Sequence, residues 1–251
     1  MRRFSRQISA LLLVGIFVAT AHAGVADDFA LANQHYSAKA YDSALALYQS
    51  VERTGVESAE LNFNIGNCYF KSGDIGRAVV YYLRAKRLNP SDDDINANLA
   101  FAKGFSRIQM EGVELNAVYT FVEGLLDPIT LNLLGWIASG CFILLVLLLL
   151  LRFGLGWTAV RRSAIVLSLI LLVGSALSTT FKYRHDYLTK RGVVVSEDAP
   201  VLSEPTARAQ TELHGAPGLV VEILGASGDY YNVLFENKRR GWVAKSHLEI
   251  V

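Results

Sequence analysis

Two asparagines, Asn33 and Asn67, stand 34 residues apart, and each is flanked by aromatic rings at the same offsets. Phe29 and Tyr36 bracket the first; Phe63 and Phe70 bracket the second. Offsets of four and three residues place rings and amide in one row on a helical face. An amide carries two donors and an acceptor, so such a row can bond the backbone of an extended peptide while the rings take its apolar side chains. The same residues could instead serve only to pack adjacent helices, and both readings stand at this level. A second aromatic group, Tyr230, Tyr231 and Trp242, is a candidate surface patch near the carboxyl end, with at least one ring expected in a core.

Catalytic patterns are missing from the sequence. It contains no H-E-x-x-H, no G-x-S-x-G and no Walker loop, and His35, His185, His214 and His247 are scattered without metal-ligand spacing. Cys68 falls beside a core position of a helical pattern, which favours packing over nucleophilic chemistry, and two cysteines make no disulfide framework. No catalytic residue, cofactor or metal is assigned, and the chain is expected not to be an enzyme. With 24 Lys and Arg against 23 Asp and Glu, the net charge of +1 gives no basic footprint for nucleic acid.

The elements that must position Asn33 and Asn67 repeat. At an offset of 34 residues, Phe29 aligns with Phe63, Ala32 with Gly66, Asn33 with Asn67, Tyr36 with Phe70, Ala44 with Ala78, and Tyr48 with Tyr82. Ile65-Gly66-x-x-Tyr69, Ala78-x-x-x-Tyr82 and Pro90 then resemble the tetratricopeptide repeat, a stacking helix-turn-helix unit of that period. The early tryptophan of that pattern is replaced by Asn62. The small residues Gly66 and Ala78 are expected to let paired helices approach closely. Residues 24–105 thus form two units, and Asp92 to Lys103 reads as the first helix of an unfinished third. The clamp that grips a free carboxylate in some members of the family needs lysine and arginine in the third unit; those positions read here as Asp94 and Asn98, against that ligand. Residues 106–127 follow as an amphipathic connector, with Leu115, Val118, Tyr119, Val122 and Leu126 at helical spacing.

Two long uncharged stretches come next, 128–151 and 163–181. The first would extend roughly 36 Å as a helix, against about 30 Å for a bilayer core. Asp127-Pro128 reads as its cap and start. The loop 152–162 carries Arg152, Arg161 and Arg162 with no acid, so the pair reads as a transmembrane hairpin with a cytoplasmic tip. Gly135/Ser139 and Gly174/Ser178 are small-residue pairs suited to close helix contact. Residues 1–23 combine Arg2, Arg3 and Arg6, an apolar run and Ala21-His22-Ala23, the pattern of a signal peptide. An uncleaved anchor is the alternative, and either one exports the repeat region. Both water-soluble regions are then expected in the periplasm, at the inner membrane. Lys182, Arg184, Lys190 and Arg191, in the linker 182–191, run against the positive-inside pattern on that side.

From 192 to 251 the pattern changes to short alternating runs: Val193-Val194-Val195, Gly218 to Leu224, Tyr230 to Phe235 and Trp242-Val243. Gly228-Asp229-Tyr230-Tyr231-x-Val233 followed by Gly241-Trp242-Val243 resembles the bacterial SH3 domain, with Tyr230 where tryptophan is usual. Lys238-Arg239-Arg240 reads as a solvated hairpin turn. The expected fold class is therefore a multidomain membrane protein: all-α tetratricopeptide repeats, a two-helix transmembrane hairpin and a small all-β SH3-like barrel. In this order the segments resemble BatE-like proteins of the bacterial aerotolerance operon. That resemblance implies a periplasm-facing, non-enzymatic scaffold for protein or peptide partners, accessory to von Willebrand A-domain membrane proteins and a MoxR-type ATPase in envelope or stress tolerance. The alternative is a cell-wall sensor that grips peptidoglycan through its SH3-like domain.

Overall fold

The cap that starts the first helix of a unit recurs after 34 residues, at Ser58 and Asp92. A computed structural model describes residues 24–105, 117–126, 129–155, 159–184, 188–235 and 238–251. The expected signal peptide, residues 106–116 of the connector and the Asp127-Pro128 cap lie outside them. Helix α1 (24–37) is followed by α2 (Tyr41–Arg53), α3 (Ala59–Lys71), α4 (Ile75–Leu88) and α5 (Asp93–Phe105). Ser58 Oγ accepts from the Leu61 amide at 3.0 Å to start α3, and Asp92 Oδ1 does the same for Ile95 at 3.1 Å to start α5. Asp74 caps α4 through the Arg77 amide at 2.9 Å. Such caps are each worth about 1 kcal/mol. The turn within each unit needs a left-handed residue, supplied by Lys39 (φ 61°) in the first and Gly73 (φ 86°) in the second.

The helices bury one continuous core that includes Ala44, Tyr48, Leu61, Ile65, Ala78 and Tyr82. Gly66 is small for the expected reason: a Cβ there would lie 2.8 Å from Cδ1 of the Tyr82 ring. The α3–α4 pair is held by that ring on that glycine.

Beyond α6 (Ala117–Leu126), two helices among the described residues are long and apolar enough to cross a membrane, with spans Leu131–Leu150 and Arg162–Tyr183. The helices themselves, α7 (Leu131–Leu155) and α8 (Ala159–Tyr183), run past the uncharged stretches. Arg152 sits inside α7 and Arg161 inside α8, because arginine is a good helix former and does not oppose continuation of the helix. Thr130 Oγ1 accepts from the Leu133 amide at 3.2 Å, so the described start of α7 is capped there. The two helices pack side by side, but not through the expected glycine pairs. A Cβ on Gly135 or Gly174 would meet nothing within 4 Å. Contact instead runs through Ser168, whose hydroxyl donates to the Cys141 carbonyl at 3.2 Å, and buried Ser175 lies on the same helix. Serine spacing of one heptad turns that face inward, whereas the glycines lie elsewhere on the helix surface.

The carboxyl region is an all-antiparallel sheet of seven strands in the order β3-β2-β6-β5-β4-β1-β7. The strands are β1 (Arg191–Val194), β2 (Ala199–Leu202), β3 (Thr211–Gly215), β4 (Val220–Ser227), β5 (Tyr230–Leu234), β6 (Arg240–Ala244) and β7 (Leu248–Ile250). The expected barrel is not closed: β3 and β7 are its two unpaired edges. Strands of three to eight residues still coil enough for inward side chains from both ends, such as Val194, Val201, Val233 and Val243, to share one core. The β1–β7 end of the sheet packs against α4. Strands β2, β3 and β7 escape the sequence reading for local reasons: Pro200 interrupts one run, β3 is mostly exposed and polar, and β7 has three residues.

Docking of α4 on the sheet joins the helical repeats and the carboxyl region into one body. Val193 is buried in the helical core, with Val195, Val220 and Val251 packed against it. Gly76 makes the closest approach: a Cβ there would fall 2.6 Å from Cα of Val195 and 2.8 Å from the Val194 carbonyl oxygen. Arg84 closes the rim, donating to Glu249 at 3.0 Å while its guanidinium lies 4.8 Å from the Tyr81 ring centre. Two regions in direct contact must share one side of any membrane that α7 and α8 cross. The antiparallel pairing of those helices meets that requirement.

Candidate functional site

Each asparagine of the ladder is the centre of a hydrogen-bonded unit that recurs with the repeat. Tyr48 Oη donates to Asn33 Oδ1, and Asn64 Nδ2 makes a long contact of 3.5 Å to the same oxygen. One unit later, Tyr82 Oη donates to Asn67 Oδ1 at 2.7 Å and Asn98 Nδ2 donates to it at 3.0 Å. The amide oxygens therefore fasten the first helix of a unit to its second helix and to the next unit. The two ends of each amide are used differently. The oxygens are structural, while among the described residues neither Nδ2 donates a hydrogen bond and both amides retain solvent exposure. Two donors per amide are left for the carbonyls of a ligand.

The flanking rings divide in the same way. Phe29 meets the Tyr48 ring edge-on at 5.5 Å and Phe63 meets Tyr82 at 5.9 Å, so both brace the tyrosines that hold the asparagines. Tyr36 packs on Tyr41 at 5.4 Å, and burial raises the affinity of its phenol for the proton. Phe70 differs. It stands 5.6 Å from Phe101 and 5.7 Å from Phe105, whose own rings are 5.2 Å apart, and those two are 60% and 61% exposed. This outward-facing phenylalanine cluster was missed by sequence reasoning. The signal was available: the residue 34 positions beyond Asn67 is Phe101. Asp94 and Asn98, where the carboxylate clamp would need its lysine and arginine, are not basic.

The carboxyl aromatic group is split by strand alternation. Tyr231 pairs with Val243 and packs on the sheet core, whereas Trp242 pairs with Asn232 and shares the opposite face with Tyr230. Lys245 lies 5.3 Å from the centre of the Tyr231 ring. Asn232 Oδ1 is buried without a partner among the described residues, beside Trp242. The patch is thus two rings, not three. Lys238 (φ 63°) and its exposed neighbours occupy the β5–β6 turn.

Among the described residues no group of three or more His, Cys, Asp and Glu is placed to hold a metal. Cys68 is completely buried, and its thiol is pushed from 9.0 up to about 12, first by burial and then by Asp42. A thiol held neutral in this way is a packing group. In a Cys141→Ser background, Cys68 should resist maleimide at pH 8 until denaturant is added; labelling of the folded chain at the rate of a free thiol would overturn this. Linkage adds a pH effect. The folded state holds the proton more tightly, so the thiol's contribution is complete below about pH 9 and is lost as pH rises toward 12. Tyr48, Tyr81 and Tyr82, all raised by burial, act in the same direction. Thermal midpoints should therefore fall through the alkaline range.

Residues 59–92 match the tetratricopeptide repeat family. The match starts with α3 and ends beyond Pro90, so it covers the unit built around Gly66, Asn67 and Tyr82. No curated protein matches the chain.

Proposed function

We propose that this chain is a non-enzymatic scaffold, anchored by α7 and α8 in the bacterial inner membrane, that recruits proteins or peptides in the periplasm. A tetratricopeptide repeat is in general a protein-interaction module, and its presence here supports the binding role. The observation that carries the reading is the face formed by the two asparagine amides and the Phe70–Phe101–Phe105 cluster. It combines unused amide donors with exposed rings on helices locked by a recurring hydrogen-bond unit. Rigid aromatic anchors beside oriented donors are what a peptide-binding groove needs. The export pattern in residues 1–23 supports the periplasmic side, and docking of α4 on the sheet supports a common side for both regions. In the finer reading the coiled sheet is an SH3-like module. The order of segments supports a BatE-like accessory to von Willebrand A-domain proteins and a MoxR-type ATPase.

Asn33→Ala and Asn67→Ala are poor tests, because each would also strand a buried tyrosine hydroxyl. The exposed rings avoid this problem. A Phe101→Ser/Phe105→Ser full-length chain should keep its melting temperature and recover partners about tenfold less well in crosslinking and affinity purification from the native membrane. Equal recovery by a normally folded variant would rule out this face.

A further inference from the structure

Helix α6 carries apolar surface that its own chain leaves uncovered. Phe121 and Leu125, four residues apart in one row of the helix, are 71% and 59% exposed. Leu126 is buried and Val122 half-buried, so the row beside them already packs on the protein. By register, Thr120 and Glu123 fall on the other side of the helix. Ten helical residues extend about 15 Å, half of what a bilayer core of about 30 Å requires, so α6 cannot cross a membrane itself.

We propose that α6 lies flat on the membrane, on the side that carries the helical repeats, with Phe121 and Leu125 seated among the lipid acyl chains; the proposal rests on the reading that α7 and α8 span the bilayer. Position selects lipid as the occupant of this face. Leu126 ends α6, and Leu131, the first residue of the first span, is five residues on, no more than about 18 Å even at full extension. The connection is shorter than that, because the Ile129 amide donates to the Leu126 carbonyl at 3.1 Å and Thr130 caps α7. The carboxyl end of α6 is therefore held at the level where the span enters the bilayer. Exposed Leu133 and Trp136, on the first turns of α7, continue the apolar surface from that point, and tryptophan is a residue favoured at such a boundary. A short helix with a ring and a leucine on one side and polar positions on the other sinks about 5–10 Å into that boundary. This second contact with the bilayer keeps the repeats near the membrane.

Spin labels read this placement in the full chain, reconstituted in phosphatidylcholine nanodiscs in a Cys141→Ser background that leaves only buried Cys68. Phe121→Cys and Leu125→Cys each put a label on the proposed lipid face. Phe142→Cys puts one midway along α7, and Phe101→Cys puts one on the repeats. Collision with oxygen, which concentrates in lipid, is compared with collision with a water-soluble nickel chelate. Labels at 121 and 125 should favour oxygen severalfold more than the label at 101, and less than the label at 142, as a surface depth requires. Preference for nickel at 121 or 125 like that at 101, with 142 in lipid, would overturn the proposal and leave the membrane reading intact. Shielding from both reagents would also overturn it, assigning the face to a second copy of the chain. A label at 142 that reads water would remove the membrane reading, and the placement of α6 with it.

Discussion

Tyr82→Ala is expected to destabilise the helical repeats by about 3–5 kcal/mol, against total stabilities of roughly 5–15 kcal/mol for domains of ordinary size. The residue is 1% exposed and joins three features of the repeat. Its ring fills the space left by Gly66 and lies tilted against Phe63 with ring centres 5.9 Å apart, and its hydroxyl donates to Asn67 at 2.7 Å. Removing it opens a cavity between α3 and α4 and leaves Asn67 with Asn98 alone. Tyr82→Phe keeps the ring and deletes only the donor, so it should cost about 1 kcal/mol. Denaturant unfolding of the full chain in detergent, followed by circular dichroism, separates the two. Equal losses in both variants would mean that the hydroxyl, not the packing, carries the contribution.

Gly76→Val should separate the repeats from the sheet. The added Cβ would fall 2.6 Å from a backbone carbon of Val195, and neither that strand nor the first turn of α4 can yield without moving the element. Overpacking of this kind costs about 1–3 kcal/mol. Here the expected result is local opening, because the helical core excluding Val193 and the sheet core are separate clusters. Amide exchange should rise in residues 191–195 and around Arg84, while Leu61, Ile65 and Tyr48 stay protected. Unchanged exchange at β1 would show that the two regions tolerate the added side chain in place.

The candidate binding face was only partly readable before the fold was known. Asn33 and Asn67 stood out because the repeat brings identical residues to identical helical positions. Their division into structural oxygens and unused donors depends on Tyr48 and Tyr82, fifteen residues further on and on another helix. Phe101 and Phe105 were passed over because a helix read alone does not show which ring it will meet; Phe70 supplies that answer from α3. Likewise, Tyr230, Tyr231 and Trp242 read as one patch until strand register sent Tyr231 to the core face.

Period and length are local properties, and the chain's own order of residues determined what depends on them. The 34-residue recurrence required stacked helix pairs, and two long uncharged stretches required helices long enough for a bilayer. Tertiary structure alone decided that α4 lies against β1 and β7 and that the sheet stays open. Those outcomes depend on surfaces from distant segments fitting each other. At Gly76 the fit turns on a missing side chain, whose importance appears only when the strand that occupies its place has been brought there.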